Sequence, residues 1–267
     1  MARFDLGDGR SVYYEHHRGT RTPVVLIHGW AMSGRIWAGT AEALKADGHT
    51  VLVVDQRGCG QSDRDFEDMS IGALAQDVFR IVQRETSLPV VLNGWSLGGA
   101  VAVEAARLLG DMTAGVVLTC GASPRFVRSD DFPYGGEPGS LDATAVALAA
   151  DRAGFFRGLA EGVCAREVSP ATIDWMWNAF IDSGPDVLAS LRSLGETDQR
   201  KTLAALAVPL LSIVGSDDAI LDPQIGLLAA QMATKGTAAT MAGCGHAPFV
   251  EDAPAYLAAL RSFLRHL

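Results

Sequence analysis

Apolar residues in this chain fall into short unbroken runs, set apart by longer stretches with helical periodicity. The runs at 24–27, 51–54, 90–92, 116–118, 210–214 and 237–241 are mostly continuous rather than alternating. That is the pattern of strands covered on both faces by helices. Near the start, 4–6 and 12–15 flank Gly7-Asp8-Gly9 and predict a hairpin. Helix-length segments follow at about 35–46, 71–85, 97–109, 224–232 and 254–267. Strand and helix in alternation, joined by right-handed crossovers, predict an α/β fold: a mostly parallel, doubly wound sheet of about eight strands.

One interval breaks the alternation. Residues 122–201 hold no convincing strand, a Gly- and Pro-rich loop at 132–139, and helical runs at 143–165 and 170–194. So long an excursion from a compact domain is usually a functional insertion. The expected organisation is a core made of 1–121 and 202–267 with a helical cap, 122–201, over the active site. An ordinary helical extension packed on one sheet edge is the alternative.

Composition narrows the class of partner. With 267 residues and 48% hydrophobic content the chain can bury a large core. Its formal net charge of -9, without clustered Lys or Arg, argues against nucleic-acid and anionic-membrane surfaces and leaves small molecules or neutral surfaces as the expected partners. Cys59, Cys120, Cys164 and Cys244 are widely spaced with no C-x-x-C, which suits neither a zinc site nor a disulfide framework. Thiols of a reducing compartment are expected. The first residues lack a secretory apolar core, and no apolar run approaches the ~18 residues of a membrane span. The expected location is cytoplasmic.

The candidate chemistry starts at Asn93-Gly94-Trp95-Ser96-Leu97-Gly98-Gly99, where a G-x-S-x-G pattern sits between a strand and a helix. This is the context of a nucleophile elbow, with Ser96 held on a tight turn and its hydroxyl projecting. On these residues alone, the competing reading is a glycine-rich turn whose serine caps the helix. A serine hydroxyl needs a base. His246, in Gly243-Cys244-Gly245-His246-Ala247-Pro248-Phe249 between the last strand and the last helix, is the best placed of six histidines. His16, His17, His49 and His266 lie in polar or terminal settings where a solvated role is the default.

An orienting carboxylate belongs between nucleophile and histidine in chain order. Asp217 and Asp218 compete for that role after the strand at 210–214. The spacing of strand, glycine, two residues and aspartate selects Asp218, leaving Asp217 as a solvated turn residue or helix cap. An oxyanion needs two donors, expected from the Leu97 and Trp30 backbone N–H groups. His28, beside Trp30, is read as a buried brace for that loop. In the block Asp55-Gln56-Arg57-Gly58-Cys59-Gly60-Gln61-Ser62, Asp55 and Arg57 are expected to pair or to bond backbone groups.

Ser, Asp and His in that order, each after a strand, resemble the α/β-hydrolase superfamily across nearly the whole chain outside the insertion. The chain looks most like carboxylesterases of the biotin pathway that hydrolyse pimeloyl-carrier-protein methyl ester. The similar segments are His28-Gly29-Trp30 with Trp37, the elbow at 94–99, Ala122-Ser123-Pro124 with Phe126, Asp131-Phe132-Pro133, Thr197-Asp198-Gln199-Arg200, and His246-Ala247-Pro248-Phe249. The resemblance implies an α/β-hydrolase fold with an inserted cap, Ser96 as nucleophile, Asp218 and His246 completing a triad, Trp30 and Leu97 holding the oxyanion, and no metal or organic cofactor. Haloalkane dehalogenases and epoxide hydrolases of this fold need aspartate at the elbow, where this chain has serine.

The departures lie in the cap. Phe155 and Arg157 match the family, but Glu161 and Gly162 stand where it has a second arginine and an aromatic. From 123 to 200 there are seven arginines and no lysine against twelve Asp and Glu, a balance of -5. An acidic cap is poorly suited to an acidic acyl carrier protein, although Arg152, Arg157 and Arg166 could form a local basic patch. Phe155, Phe156, Trp175, Trp177 and Phe180 either line an acyl pocket or pack the cap onto the sheet. The expected activity is a serine carboxylesterase acting on short to medium acyl esters, with the carrier-protein methyl ester among the candidates. The rivals are a C–C bond hydrolase, lactonase or perhydrolase on the same triad, or a non-catalytic ligand receptor.

Overall fold

The computed structural model describes residues 2–267. Eight strands form one sheet: β1 (Ala2–Asp5), β2 (Ser11–His17), β3 (Arg21–Ile27), β4 (His49–Val54), β5 (Val90–Trp95), β6 (Thr113–Thr119), β7 (Leu210–Gly215) and β8 (Gly236–Met241). Their order is β1-β2-β4-β3-β5-β6-β7-β8. The expected hairpin is present, with β1 antiparallel to β2 and Phe4 opposite Val12. β2 is antiparallel to β4, and every later pairing is parallel.

The continuous apolar runs mark the strands buried on both faces. Every residue of β5 and of β7 is buried. At the far edge, β8 leaves three of its six residues exposed, because helices cover it less fully. Strand order reverses between β3 and β5, where Ile27 pairs with Gly94 and both strands run the same way. Loops leaving the carboxyl ends of β3, β5, β6, β7 and β8 therefore meet over one edge, the usual ligand position in such a sheet.

Helices α1 (Ala38–Ala46), α2 (Ile71–Glu85) and α3 (Leu97–Leu109) follow the early crossovers, and α9 (Pro223–Met232), α10 (Pro248–Glu251) and α11 (Ala253–Arg265) the late ones. Their starts obey ordinary capping chemistry: Ser70 accepts from the Ala73 N–H, Asp222 from Gln224 and Asp252 from Ala255. Between β6 and β7 lie α4 (Ser140–Ala150), α5 (Arg152–Gly162), α6 (Pro170–Ile181), α7 (Val187–Glu196) and the short α8 (Arg200–Ala204).

Both long helical runs expected there are split. Asp151 leaves helical geometry (φ -155, ψ 87), and its carboxylate accepts from Gly154 N–H at 2.8 Å to start α5. Pro185, which has no N–H and disfavours helix in the residue before it, separates α6 from α7. His49 also departs from expectation. It is 3% exposed and its Nδ1 bonds the Thr22 carbonyl at 2.8 Å, because the first residue of β4 already lies inside the sheet. No helix among the described residues is long and apolar enough to cross a membrane.

Candidate active site

Between β5 and α3 the chain has a single residue, Ser96, to reverse direction. Its backbone sits at φ 55, ψ -123, a region that costs a non-glycine residue about 1–3 kcal/mol. The surroundings hold it there. Ser96 N–H donates to Thr119 O at 3.1 Å, and Ser96 O accepts from the Gly99 and Ala122 N–H groups, each at 2.8 Å. Close backbone approach demands the two flanking glycines: a Cβ on Gly94 would lie 2.0 Å from Gly98 O, and one on Gly98 2.4 Å from Ile27 O. Ser96 occupies the N-cap position of α3, yet its side chain makes no capping bond. The helix does not use the hydroxyl.

His246 and Asp218 arrive from different loops and form a buried pair. His246 Nδ1 lies 2.7 Å from Asp218 Oδ2, with the two side chains 3% and 2% exposed. The other carboxylate oxygen, Oδ1, accepts from the Ile220 and Leu221 N–H groups, both at 2.9 Å. A carboxylate so held takes a proton donor on its free side, so Nδ1 carries the hydrogen and Nε2 keeps its lone pair. Asp217 points elsewhere: it is exposed and accepts from the Ser216 hydroxyl at 2.8 Å. Trp95 Nε1 donates to His246 O at 2.7 Å, tying the elbow to the histidine loop. No hydrogen bond joins Ser96 Oγ to the imidazole among the described residues, though both line one cavity. Such bonds are commonly long before substrate binds.

The Trp30 and Leu97 N–H groups find no protein acceptor among the described residues, which leaves both available to a developing oxyanion. Trp30 also reaches across the molecule, its Nε1 donating to Val187 O at 2.8 Å and its ring meeting Phe155 and Phe156. His28 is fully buried. Its Nε2 accepts from Gln56 N–H at 2.9 Å and its Nδ1 donates to Gly29 O at 2.7 Å, bracing the loop. Burial holds its pKa below the usual histidine value, against the opposing pull of Asp55. Asp55 and Arg57 do not pair with each other. Asp55 accepts from the Gly34 and Gln61 N–H groups at 2.6 and 2.8 Å, while Arg57 forms a two-pronged bridge to buried Asp77 at 2.6 and 2.8 Å.

The cavity above Ser96 measures about 180 Å³ and is walled mostly by Trp30, Trp95, Phe126, Phe155, Leu159, Val163, Phe180, Leu191, Leu194 and Ile220. Thr144, Ser96 and His246 are its polar lining; no Lys, Arg, Asp or Glu side chain among the described residues reaches it. Of the expected cap aromatics, Phe155 and Phe180 face the cavity. Phe156 does not: it is fully buried behind them, stacked on Phe180 at 5.6 Å, so it shapes the wall without touching the space. Trp175 and Trp177 also lie off the cavity, the latter donating to Ala153 O at 3.0 Å.

Arg152, Arg157 and Arg166, which could have formed a local basic patch, are each engaged by neighbours. Arg152 donates to Ser183 O at 2.7 Å and lies over the Phe156 ring, Arg157 is shared by Glu161 and Asp174, and Arg166 pairs with Asp252 at 2.9 Å. The other four arginines of 122–201 pair with carboxylates: Arg125 with Asp198, Arg128 with Glu137, Arg192 with Asp142 and Arg200 with Asp131 and Asp198. Six of these seven arginines thus have an acidic partner, and Arg152 is held by Ser183 and Gly184 instead.

Sequence reasoning passed over two residues beside the histidine. Cys120, in left-handed geometry (φ 42) just after β6, brings its Sγ within 4.8 Å of the Asp218 and His246 donor atoms. Burial, reinforced by Asp218, holds this thiol well above the ordinary cysteine range. A neutral thiol beside an imidazole and carboxylate already bonded to each other suits a packing role better than a metal site. Glu251, on α10, is the second; its only sequence signal is a carboxylate one turn after His246. All four cysteines are free thiols.

The model of the alpha/beta hydrolase family matches residues 24–260. A pimeloyl-[acyl-carrier protein] methyl ester esterase of Stenotrophomonas maltophilia is 33% identical over 254 residues, covering 93% of this chain and 95% of that one. A bromoperoxidase from Bacillus anthracis superposes with a TM-score of 0.94 at 27% identity, covering 99% of each chain. An esterase from Exiguobacterium antarcticum gives a TM-score of 0.94 over 98% of each chain at 24% identity, a likeness of fold.

Proposed function

Because this chain belongs to the alpha/beta hydrolase family and is a carboxylic ester hydrolase, we propose that it cleaves small apolar esters through an acyl ester of Ser96. His246 Nε2 takes the hydroxyl proton as Ser96 Oγ attacks the carbonyl carbon, and returns it to the leaving alcohol oxygen. Water then attacks the acyl carbon and gives a proton to the same nitrogen, which passes it to Ser96 Oγ as the bond to the acyl carbon breaks and the acid is released. Asp218 holds the imidazole in the Nδ1–H form and offsets its charge in each step. The Trp30 and Leu97 N–H groups receive the oxyanion. The observation that carries this reading is the 2.7 Å bond between the buried His246 and Asp218, at the rim of the cavity that Ser96 lines.

The segment 122–201 acts in this reading as a cap, supplying Phe126, Phe155, Leu159 and Phe180 to the cavity wall. A volume near 180 Å³ is close to an apolar cavity of about 150 Å³ that accommodates benzene, which favours short acyl or aryl groups without charge. Four free thiols support a reducing, cytoplasmic setting. Hydrolysis of p-nitrophenyl acetate, butyrate and decanoate tests the proposal. Turnover of the first two, poorer use of decanoate and loss of turnover in Ser96→Ala are expected; an inert wild type overturns it.

A second reading follows the relatives: the methyl ester of an acyl chain borne on a carrier protein. The pairing of six of the seven arginines of 122–201 with carboxylates weighs against it, since Arg152 alone keeps a charge without an acidic partner to steer an acidic protein. Complementation of a biotin-requiring strain lacking its own esterase decides between them, and growth would favour the carrier-bound substrate.

A further inference from the structure

We infer that Glu251 is a positioning residue that clamps the base of the cap to both flanks of His246; the inference rests on the roles proposed above. Its carboxylate gathers four backbone N–H groups from two distant segments. Gly245 donates to Oε2 at 2.8 Å and to Oε1 at 3.0 Å, and Ala247 to Oε1 at 3.2 Å. Ala165 and Arg166, in the link between α5 and α6, donate to Oε2 at 2.8 and 2.9 Å. The residues on either side of His246 and the start of that link thus share one acceptor.

Other contacts run the same way. His246 N–H itself donates to Val163 O at 2.8 Å. Arg166 reaches back to Asp252 at 2.9 Å and to Ala242 O at 2.8 Å. The two backbones lie so close that a Cβ on Gly245 would sit 2.6 Å from Ala165 N. Val163, at one end of this seam, and Leu159 and Phe155, one and two turns back along α5, all line the cavity. Acyl wall and imidazole are therefore held by one clamp, and the carboxylate is its centre.

The chemistry calls for an anion with two acceptor oxygens. Glutamine has one oxygen and would turn two donors toward amides that also donate. A slackened clamp lets the imidazole drift from its line to Ser96, and a misplacement near 1 Å can cost about 100-fold in rate.

Glu251→Gln, Glu251→Asp and Glu251→Ala are to be compared with wild type on p-nitrophenyl butyrate, each well below its melting temperature. The expected result for Gln and Ala is a fall in kcat of about 10- to 100-fold with KM little changed, and partial rescue by Asp, which keeps the charge. The downfield proton resonance of His246 Nδ1–H, read without any ester, should broaden or move in Gln. If Ala does not fold, Gln and Asp carry the comparison. Wild-type kcat and an unmoved resonance in Glu251→Gln, even with a lowered Tm, overturn the inference. An inert wild type whose resonance still responds to Glu251→Gln would instead sink the esterase reading and leave the clamp standing.

Discussion

Asp218 meets His246 at 2.7 Å with both side chains shielded from water, while Asp217, one residue earlier, is exposed and bonded to Ser216. Chain direction separates the two. After β7 the backbone turns so that Asp218 points inward, where Ile220 and Leu221 secure one oxygen and leave the other for the imidazole. Asp218→Asn keeps the shape but removes the preference for the Nδ1–H form, and should lower kcat about 10³- to 10⁴-fold. Asp217→Asn should leave kcat within about twofold, as expected of an exposed turn residue. Steady-state kinetics on one ester suffices, and the reverse ranking would displace Asp218 from its role.

Ser96 pays in backbone strain for its position, and that strain can be read as stability. Glycine relieves a conformation costing about 1–3 kcal/mol but adds about 0.5–1 kcal/mol of unfolded-state freedom. Ser96→Gly should therefore be more stable than Ser96→Ala by about 1 kcal/mol, with both variants inactive. Urea unfolding measures the difference. Equal midpoints would show that the turn at φ 55 is not strained.

His28 gives a pH dependence of defined sign. Burial lowers its folded pKa below the ordinary value of 6.5, so the unfolded chain binds the proton first as pH falls. Its contribution is complete above pH 6.5 and is lost below it, by at most about 1.4 kcal/mol per pH unit until the folded pKa is reached. Wild type should lose stability between pH 7 and pH 5 more steeply than His28→Asn, although the variant starts lower at pH 7 for want of the Gln56 and Gly29 bonds. Parallel slopes in urea unfolding would remove His28 as the cause.

Much of the site was legible because its signals are local. The elbow must be written in consecutive residues, since Gly94 and Gly98 relieve contacts within one turn, and each candidate residue follows directly on an apolar run. The segment 122–201 was less legible. Its helical runs were readable as helices but not as pairs, because Asp151 serves equally as an interior residue or a cap until its neighbours are placed. Phe155 and Phe156 are adjacent and chemically alike, yet one lines the cavity and the other backs it, a matter of helix rotation that amphipathic periodicity leaves open. Glu251 carried almost no signal, because its partners are backbone amides, which every residue has.

The sequence by itself determined the strands and the helices between them outside 122–201, the elbow and the chain order of serine, aspartate and histidine, because each depends on residues near one another in the chain. Tertiary structure alone decided which donors and acceptors meet: His246 with Asp218, six arginines of 122–201 with acidic neighbours and Arg152 with Ser183, and Glu251 with amides 85 and 86 residues away. Hydrogen bonds depend on separations of a few tenths of an ångström, and only the packed chain sets distances that short between parts so far apart.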